Sequence, residues 1–479
     1  MNLKLKASEI AKAVNGEIIA GDGNIKIKNI ITDSRKILPE SLFFAFKGEA
    51  ADGHDFAEKA LQDGALGAVM QKDSVKIIDL QNKNSVIITV EDTIQALLDT
   101  AKYYKNLFKN LNITLGITGS VGKTTAKEFI YSVLNQKFKT QKSEGNFNTE
   151  VGLPMTLFGL EEDTRAIVLE MGMSGFGEIS RLSKTANPDI AVITTIGTSH
   201  IEKLGSREGI KKAKFEILDG MDFNSNIILN ADCDLLYSEK NKTGRKEFFF
   251  GVNNKDAGFT AENINLDYEK NISEFSADNF KFVIPAVGLH NIYNALPAII
   301  TGKIYGLSNE EIQNGFNNFR NAKMRQNIYD FNDITIIEDC YNASLESVRA
   351  ALGVLAGMAA KSKERSNLNF KPKSIAVLSD VLESGDYSEM IHKNIGEEVV
   401  NKNIDIAFIC GEKSKVTHDT IKQRGKDKRS SVNCMYFNEK SEIANALYKM
   451  AKRGDVILFK ASRGMELETV IDDFKKKFD

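Results

Sequence analysis

The feature that most constrains the fold is a series of short apolar runs, each followed by a turn and then by a helical pattern. From Ile113 the runs are ITLGITG, AIVLEMG, IAVITTIG and NIILNAD, and beyond Phe319 a second series comprises DITIIEDC, SIAVLSD, IDIAFICG, CMYF and DVILFKAS. Continuous apolar runs are typical of parallel strands that are buried on both faces and joined by helices. The pattern therefore predicts two doubly wound α/β domains in tandem.

The 479 residues suggest about three domains, at about 150 residues each. Between Ile25 and Leu107 the β-rich runs IKNIITD and SLFFAFKG alternate with helical patterns such as DFAEKALQDG, which predicts a smaller α/β module. The first 18 residues have the pattern of an amphipathic helix. We therefore expect an α/β protein with domains at residues 1–107, 108–319 and 320–479.

Composition excludes several classes of protein. Lys and Arg number 63 against 65 Asp and Glu, so we expect no nucleic-acid partner and no attraction to anionic membranes. The four cysteines lie far apart, which favours a reduced, cytoplasmic protein. The first residues lack the apolar core of a signal peptide, and no run of about 18 apolar residues predicts a membrane span.

The segment TLGITGSVGKTTAKEF predicts a phosphate-binding loop between a strand and a helix. In that context backbone N–H groups can hold phosphates, Lys123 can reach the terminal phosphates and Thr124 can bind magnesium. Ile117 stands where the common GxxxxGK[ST] pattern has glycine, so the loop is a GxxGKTT variant. The alternative is a strand-to-helix turn without a ligand. The predicted cofactor-binding loop comprises Gly119, Ser120, Val121, Gly122, Lys123, Thr124 and Thr125.

Three further residues are candidates for a metal site. Glu170 and His200 each follow an apolar run, where the ligands of open α/β sheets gather. Lys214 lies within the apolar stripe of the next helical pattern, where loss of water lowers a lysine pKa and yields a neutral amine. The alternatives are a solvated acid, a structural histidine and a lysine whose amine reaches water.

Nine ordered segments resemble the Mur ligase family of ATP-dependent amino-acid ligases, and the resemblance covers almost the whole chain. They are DSRKILPESLFFAFKGEAADGHDF, GITGSVGKTTAKEF, SEGNFNTEVGLPMTL, LEMGMSGFGEI, TTIGTSHIEKLGSREGIKKAKFEI, GLHNIYNALPA, IIEDCYNASLESVRAAL, LSDVLESGDYSEMIH and FKASRGMELE. The resemblance implies a small N-terminal α/β domain for the UDP-substrate, a central ATPase-like domain with a parallel sheet and a C-terminal Rossmann-like domain. It is nearest to members that add D-alanyl-D-alanine to UDP-N-acetylmuramoyl-tripeptide through an acyl phosphate, in peptidoglycan synthesis.

The resemblance also implies the roles of individual residues toward ATP and Mg²⁺. Thr124 and Glu170 would hold one magnesium ion, and His200 with a carbamylated Lys214 would hold or orient a second. Asn291 would contact the adenine, Asp339 the ribose and Arg325 the γ-phosphate. The residues implied in catalysis are Lys123, His200, Lys214 and Arg325. Because Arg325 and Asp339 lie beyond residue 319, we expect the two larger domains to close on ATP.

Substrate-binding residues are implied in all three domains. Ser34 and Arg35 match the uridine-nucleotide site, and three residues match the site of the muramoyl peptide, namely Asn146, Asn148 and Thr149. The incoming dipeptide is expected at Asn342, Asp380 and Arg463. The segments SDVLESG and KASRG depart from the family's more frequent GDMxELG and KGSRG, and NASLES lacks the usual proline, so the third domain departs from the family pattern at three segments.

Other functions stay open from the sequence. A sister ligase that adds diaminopimelate or lysine to the dipeptide precursor shares the DSR and DGHDF features, although the chain shows no DNPR-like selector. A folylpolyglutamate synthase shares the phosphate loop but lacks the N-terminal module. A regulatory ATP-binding module would not need a lysine in an apolar stripe. We further expect a monomer.

Overall fold

The computed structural model describes residues 3–48, 51–74, 85–365, 370–426 and 431–478. Its N-terminal domain is built on a five-stranded sheet of order β2-β7-β6-β5-β4, in which β2 is antiparallel to β7 and the other neighbours are parallel. The strands are β1 Leu5–Lys6, β2 Glu17–Ala20, β3 Lys26–Ile27, β4 Asn29–Ile31, β5 Ser41–Phe44, β6 Gly67–Gln71 and β7 Val86–Val90. The helices are α1 Ala7–Ala13, α2 Ala57–Gln62 and α3 Thr93–Asn106.

Two sequence features of this domain have structural explanations. The helix predicted for the first 18 residues is shorter than expected, because α1 lies between β1, which pairs with β3, and β2. In DGHDF the ring of His54 is buried, its Nε2 accepts from the amide of Gln71 at 3.0 Å, and its Nδ1 lies 2.6 Å from Asp52. The histidine thus anchors the DGHDF turn to the end of β6.

The central domain contains a seven-stranded parallel sheet of order β14-β13-β12-β11-β8-β10-β9. Its strands are β8 Ile113–Thr118, β9 Thr140–Lys142, β10 Ala166–Glu170, β11 Ile190–Ile193, β12 Asn226–Asn230, β13 Lys246–Gly251 and β14 Phe259–Thr260. The helices are α4 Lys123–Leu134, α5 Gly152–Leu157, α6 Glu178–Ala186, α7 Ile201–Leu204, α8 Arg207–Phe215, α9 Asp234–Tyr237, α10 Leu289–Ile304 and α11 Asn309–Asn317. Every residue of β8, β10 and β11 is buried, as the apolar runs predict.

The two faces of this sheet have different partners. One face packs against α4, α10 and α11, with Phe129 stacked on Phe319. The other packs against α5 and α6, and it shares one apolar core with α3 of the N-terminal domain. The proposed boundaries after residues 107 and 319 fall in the connections that follow α3 and α11; the boundaries themselves stay predictions.

A three-stranded antiparallel sheet follows β14 and was not expected from the sequence. It consists of β15 Glu262–Asp267, β16 Ile272–Ala277 and β17 Phe280–Ile284. Burial alternates along β16, whose sequence ISEFSA contains no continuous apolar run. Two-residue periodicity was the signal that could have revealed it.

The C-terminal domain has a six-stranded sheet of order β18-β19-β23-β20-β21-β22, parallel except for β18. The strands are β18 Asn327–Phe331, β19 Ile334–Glu338, β20 Ser374–Leu378, β21 Ile406–Cys410, β22 Asn433–Phe437 and β23 Val456–Lys460. The helices are α12 Leu345–Arg365, α13 Ser388–Asn401, α14 Lys415–Lys426, α15 Lys440–Met450 and α16 Glu468–Lys475. The first three helices cover one face and the last two the other, which is the predicted doubly wound arrangement.

The carboxyl ends of the central strands face those of the C-terminal sheet across a cleft. Loops after β8, β10 and β11 line it from one side, and loops after β19, β20 and β23 line it from the other. This edge is where open α/β sheets bind ligands. Among the described residues, no helix has both the length and the apolar character of a membrane span.

Candidate active site

The phosphate loop joins β8 to α4 and requires glycine at two positions. Gly119 has φ +150°, and a Cβ there would lie 1.9 Å from the Thr194 hydroxyl oxygen. Gly122 has φ +86°, and its Cβ would lie 2.3 Å from the Asn294 side-chain oxygen. The backbone can therefore follow this path only if these two positions are glycine. The path ends at Lys123, the first residue of α4, where free amides and the helix dipole favour an anion.

The loop lines a cleft of about 900 Å³, which we call the loop cleft. Its other walls come from α10 and from the C-terminal domain, including Asn291, Arg325 and Asp339. A second space of about 1240 Å³ adjoins it, and we call this the strand-end cleft because loops after β10, β11, β20 and β23 line it. Lys123 and Arg325 line both clefts, so the two spaces meet at two cationic side chains.

These two cations come from different domains. The Lys123 amine donates to the Gly119 carbonyl at 2.7 Å. Burial lowers the pKa of this amine, and the positive charge of Arg325 lowers it further, whereas the negative charge of Glu170 partly offsets both effects. The Arg325 guanidinium stacks 4.3 Å from the centre of the Tyr341 ring. Two adjacent positive groups at the junction would attract anionic ligands from both clefts.

Thr124 and Glu170 form a site whose donors suit Mg²⁺. The Thr124 hydroxyl donates to Glu170 Oε2 at 2.9 Å, and the Asn148 amide donates to Glu170 Oε1 at 3.0 Å. Both Thr124 and Glu170 are buried. Hydroxyl and carboxylate oxygens are the ligands that magnesium prefers, so these residues fit the expected ion.

Lys214 is 1% exposed and lines neither cleft. Burial lowers its pKa well below the usual lysine value, and the nearby charge of Lys123 lowers it further. No carboxylate pairs with its amine in the part of the chain that the structure describes. This lowered pKa favours the neutral amine, which is the form that can react with carbon dioxide.

The central and C-terminal domains contact each other beside the strand-end cleft, through residues 198–205 on one side and residues 346 and 383–387 on the other. We call this contact the seam. His200 Nδ1 lies 2.7 Å from Glu383 Oε2, and the hydrogen bond from His200 lowers the Glu383 pKa against a smaller effect of burial. The Thr198 amide and hydroxyl donate to Glu346 at 3.0 and 3.2 Å. The Tyr387 hydroxyl donates to the Gly205 carbonyl at 3.1 Å.

Three family models match the chain in order. They are "Mur ligase family, catalytic domain" at residues 26–105, "Mur ligase middle domain" at 117–302 and "Mur ligase, glutamate ligase domain" at 324–463. The UDP-N-acetylmuramoyl-tripeptide–D-alanyl-D-alanine ligase of Bacillus subtilis is 35% identical over 477 residues, with 98% of each chain covered. The chain belongs to the Mur ligase family.

Solved structures agree with this assignment. MurF from Acinetobacter baumannii matches with a TM-score of 0.85 at 26% identity, covering 98% of each chain. MurF ligase from Thermotoga maritima, solved in complex with ADP, matches with a TM-score of 0.78 at 27% identity, covering 94% of this chain and 97% of the other. The expected family and three-domain α/β architecture of this Mur ligase are thereby confirmed.

The structure brings most of the predicted site residues of this Mur ligase to the two clefts. The loop cleft is lined by Ser120, Val121, Gly122, Lys123, Thr124, Thr125, Asn291, Arg325, Asp339 and Asn342. The strand-end cleft is lined by Asn146, Asn148, Thr149, Glu170, His200 and Arg463, and again by Lys123, Arg325 and Asn342. Residues from two domains, separated by up to more than 300 positions along the sequence, thus lie close together. Their individual roles stay predictions.

Five predicted residues of this Mur ligase lie elsewhere. Ser34 and Arg35 form a short turn away from both clefts, where hydrogen bonds from Arg35 lower the Asp33 pKa to about 2. Asp380 is buried, and its carboxylate accepts the amide of Ser414 at 2.8 Å. That contact orders the loop before α14, so the structure supplies a packing role for Asp380. Gly119 contributes loop shape rather than cleft surface, and Lys214 is buried and lines neither cleft.

Several cleft residues of this Mur ligase were missed from sequence. Asn294 follows Asn291 by one helical turn on α10, so helical spacing could have identified it. Lys460 ends β23, pairs with Asp339 at 2.9 Å and is 2% exposed, and its strand-end position was the available signal. Glu346 and Glu383 lie within the quoted segments NASLES and SDVLESG, but no spacing within either segment identifies their contacts, because their partners lie in another domain.

Proposed function

We propose that this Mur ligase joins D-alanyl-D-alanine to UDP-N-acetylmuramoyl-tripeptide, with ATP converted to ADP and phosphate. The observation that carries the proposal is the junction of the two clefts. Lys123 and Arg325, which belong to different domains, both line this junction. Such a junction suits the meeting of a terminal phosphate with a substrate carboxylate. The full-length relative that is 35% identical carries this activity in its name.

ATP binding is assigned to the loop cleft. The phosphates lie on the loop backbone and at the start of α4, with Lys123 directed to the terminal phosphates. Asn291 contacts the adenine, Asp339 the ribose and Arg325 the γ-phosphate. The ADP complex of the Thermotoga maritima relative supports a nucleotide in this fold.

Magnesium is assigned to Thr124 and Glu170, whose oxygens lie 2.9 Å apart. When bound, the ion neutralises phosphate oxygens and so reduces repulsion of an approaching carboxylate. His200 and Lys214 are assigned to a second ion. Lys214 would serve as a carbamate: a neutral amine that adds carbon dioxide and loses one proton gains a single negative charge shared by two oxygens, which could hold the ion.

The reaction joins a carboxylate to an amine through an activated acyl group. A carboxylate oxygen of the tripeptide attacks the γ-phosphorus, the bond to the β-phosphate breaks, and an acyl phosphate and ADP result. The dipeptide amine then displaces phosphate and loses a proton. Lys123 and Arg325 stabilise the negative charge at the junction, which requires no covalent protein nucleophile.

The substrates are assigned to the strand-end cleft and to the N-terminal domain. Asn146, Asn148 and Thr149 contact the muramoyl peptide, while Asn342 and Arg463 face the dipeptide. Asp380 acts on the dipeptide site through the loop that it orders. Ser34 and Arg35 bind the uridine nucleotide. We keep the monomeric state and the cytoplasmic location as predictions.

Phosphate release tests the proposal. The chain is incubated with ATP, magnesium and either the UDP-muramoyl dipeptide or tripeptide, against single amino acids and D-alanyl-D-alanine. We expect release only with the tripeptide and the dipeptide D-alanyl-D-alanine together. Ligation of diaminopimelate or lysine to the UDP-muramoyl dipeptide would instead establish the sister activity, and release without a second substrate would indicate a regulatory ATPase.

A further inference from the structure

We propose that Glu383 is a positioning residue for His200, and that it makes the orientation of this imidazole depend on contact between the central and C-terminal domains. The proposal rests on the proposed function, since His200 acts in catalysis only if the clefts hold ATP and magnesium. Glu383 is not among the residues assigned to the nucleotide, and its partner in the seam is the imidazole of His200.

The two residues belong to different domains. His200 precedes α7 in the connection from β11, and Glu383 lies between β20 and α13. Nδ1 of the imidazole meets Oε2 of the carboxylate at 2.7 Å, and both residues line the strand-end cleft. Separation of the domains would remove the carboxylate and leave the imidazole free to rotate.

Stability does not explain this pair. Both residues have left-handed backbone conformations, with φ +63° at His200 and +56° at Glu383. Such conformations are less favourable for a residue with a side chain than for glycine. The Glu383 side chain is 62% exposed, and a contact this exposed contributes little to stability even when both groups are charged. The contact therefore contributes little to the stability of the fold, and its main consequence is the orientation of the imidazole.

The contact has a specific chemical consequence. An imidazole that donates Nδ1–H to a carboxylate presents Nε2 as the nitrogen with a free lone pair. Carboxylates commonly fix metal-binding histidines in this way, and their loss typically weakens metal affinity or activity about 10- to 100-fold. Glu383 thus completes the site assigned to the second ion only when the two domains meet.

Variants of the full chain test the proposal. Glu383→Ala removes the acceptor, whereas Glu383→Gln keeps an oxygen that can accept Nδ1–H. Tyr387→Phe is the matched control, because it removes another hydrogen bond of the seam without touching His200. Bound Mn²⁺ is counted by electron paramagnetic resonance with a non-hydrolysable ATP analogue and UDP-tripeptide, and kcat and KM are measured separately. Circular dichroism establishes that each variant is folded.

We expect Glu383→Ala to weaken the lower-affinity Mn²⁺ site and to reduce kcat, each by about 10- to 100-fold, while KM for ATP changes little. Glu383→Gln should retain more of both, and Tyr387→Phe should leave the Mn²⁺ affinities unchanged. Wild-type Mn²⁺ binding and kcat in Glu383→Ala would overturn the proposal, and so would equal losses in Tyr387→Phe. If the wild-type chain did not use D-alanyl-D-alanine but Mn²⁺ affinity still depended on Glu383, the proposed function would fail and the positioning role would stand.

Discussion

The phosphate loop and the seam are held together in different ways. The loop spans residues 119–125, and its contacts with Thr194, Glu170 and α10 stay within the central domain. The seam joins residues at least 148 positions apart that belong to two domains. The loop can therefore keep its shape in any arrangement of the domains, whereas the seam exists in one arrangement only.

Burial separates the two regions as well. Thr124 and Glu170 are 8% and 3% exposed, so their hydrogen bond is shielded from water. The Glu383 side chain at the seam is largely exposed. Buried charged and polar contacts are costly to break, while exposed ones contribute little to stability. Substitutions at the loop should consequently have large effects, and those at the seam should act on domain arrangement.

The largest effect is expected for Lys123→Ala. Lys123 is the loop cation that lies at the junction of both clefts. Loss of one preorganised charge-stabilising group typically reduces kcat by about 10²–10³-fold, or about 3–4 kcal/mol. Substrate-dependent phosphate release measures the loss, and Lys184→Ala, at an exposed position of α6, serves as the control. Activity within a few-fold of wild type would show that the loop does not carry the reaction.

The next effect concerns the support beneath the loop. Lys127 is 1% exposed, donates to the Ser143 carbonyl at 2.6 Å and lies 3.4 Å from Glu128 and 3.9 Å from Glu170. Lys127→Met should lower the free energy of unfolding by about 3 kcal/mol, because removing one partner leaves buried charges uncompensated. Urea unfolding measures it, with Lys142→Met as the partly exposed comparison on the other side of Glu128. A change below about 1 kcal/mol would mean that water replaces the lysine.

The contrast between the regions also explains what the sequence could predict. The apolar runs reveal the buried parallel strands, and the phosphate loop is readable because its spacing is local. Lys214 was identifiable from its position in an apolar stripe, and the structure shows it buried. Glu346 and Glu383 lie in quoted segments, but their contacts could not be predicted, because a contact between domains leaves no periodic or local pattern in either segment.

A third prediction concerns Lys214 and the pH dependence of stability. Burial lowers the Lys214 pKa in the folded state, whereas the unfolded amine titrates near the ordinary value of 10.5. Between these two pKa values the unfolded state therefore binds more protons than the folded state. As the pH rises through this range, the free energy of unfolding of the wild-type chain should increase by up to about 1.4 kcal/mol per pH unit. Lys214→Met should remove this slope in bicarbonate-free buffer, as measured by urea unfolding at several pH values from 7 to about 10. Parallel profiles for the two proteins would show that the amine stays charged when folded.

The smallest effect is expected at the seam, for Glu346→Gln. The amide side chain can still accept from Thr198, but it lacks the charge that strengthens those hydrogen bonds. If the contact between the domains becomes weaker by about 1 kcal/mol of free energy, the ligand concentration needed for closure should rise about fivefold. Small-angle scattering with an ATP analogue and both substrates measures the compaction, and Glu389→Gln, at an exposed position of α13, is the control. Because the loop is unaffected, unfolding of the central domain should not change. Full compaction at wild-type concentrations would mean that Thr198 and Glu346 do not hold the domains together, and no compaction in the wild-type chain would refute ATP-linked closure itself.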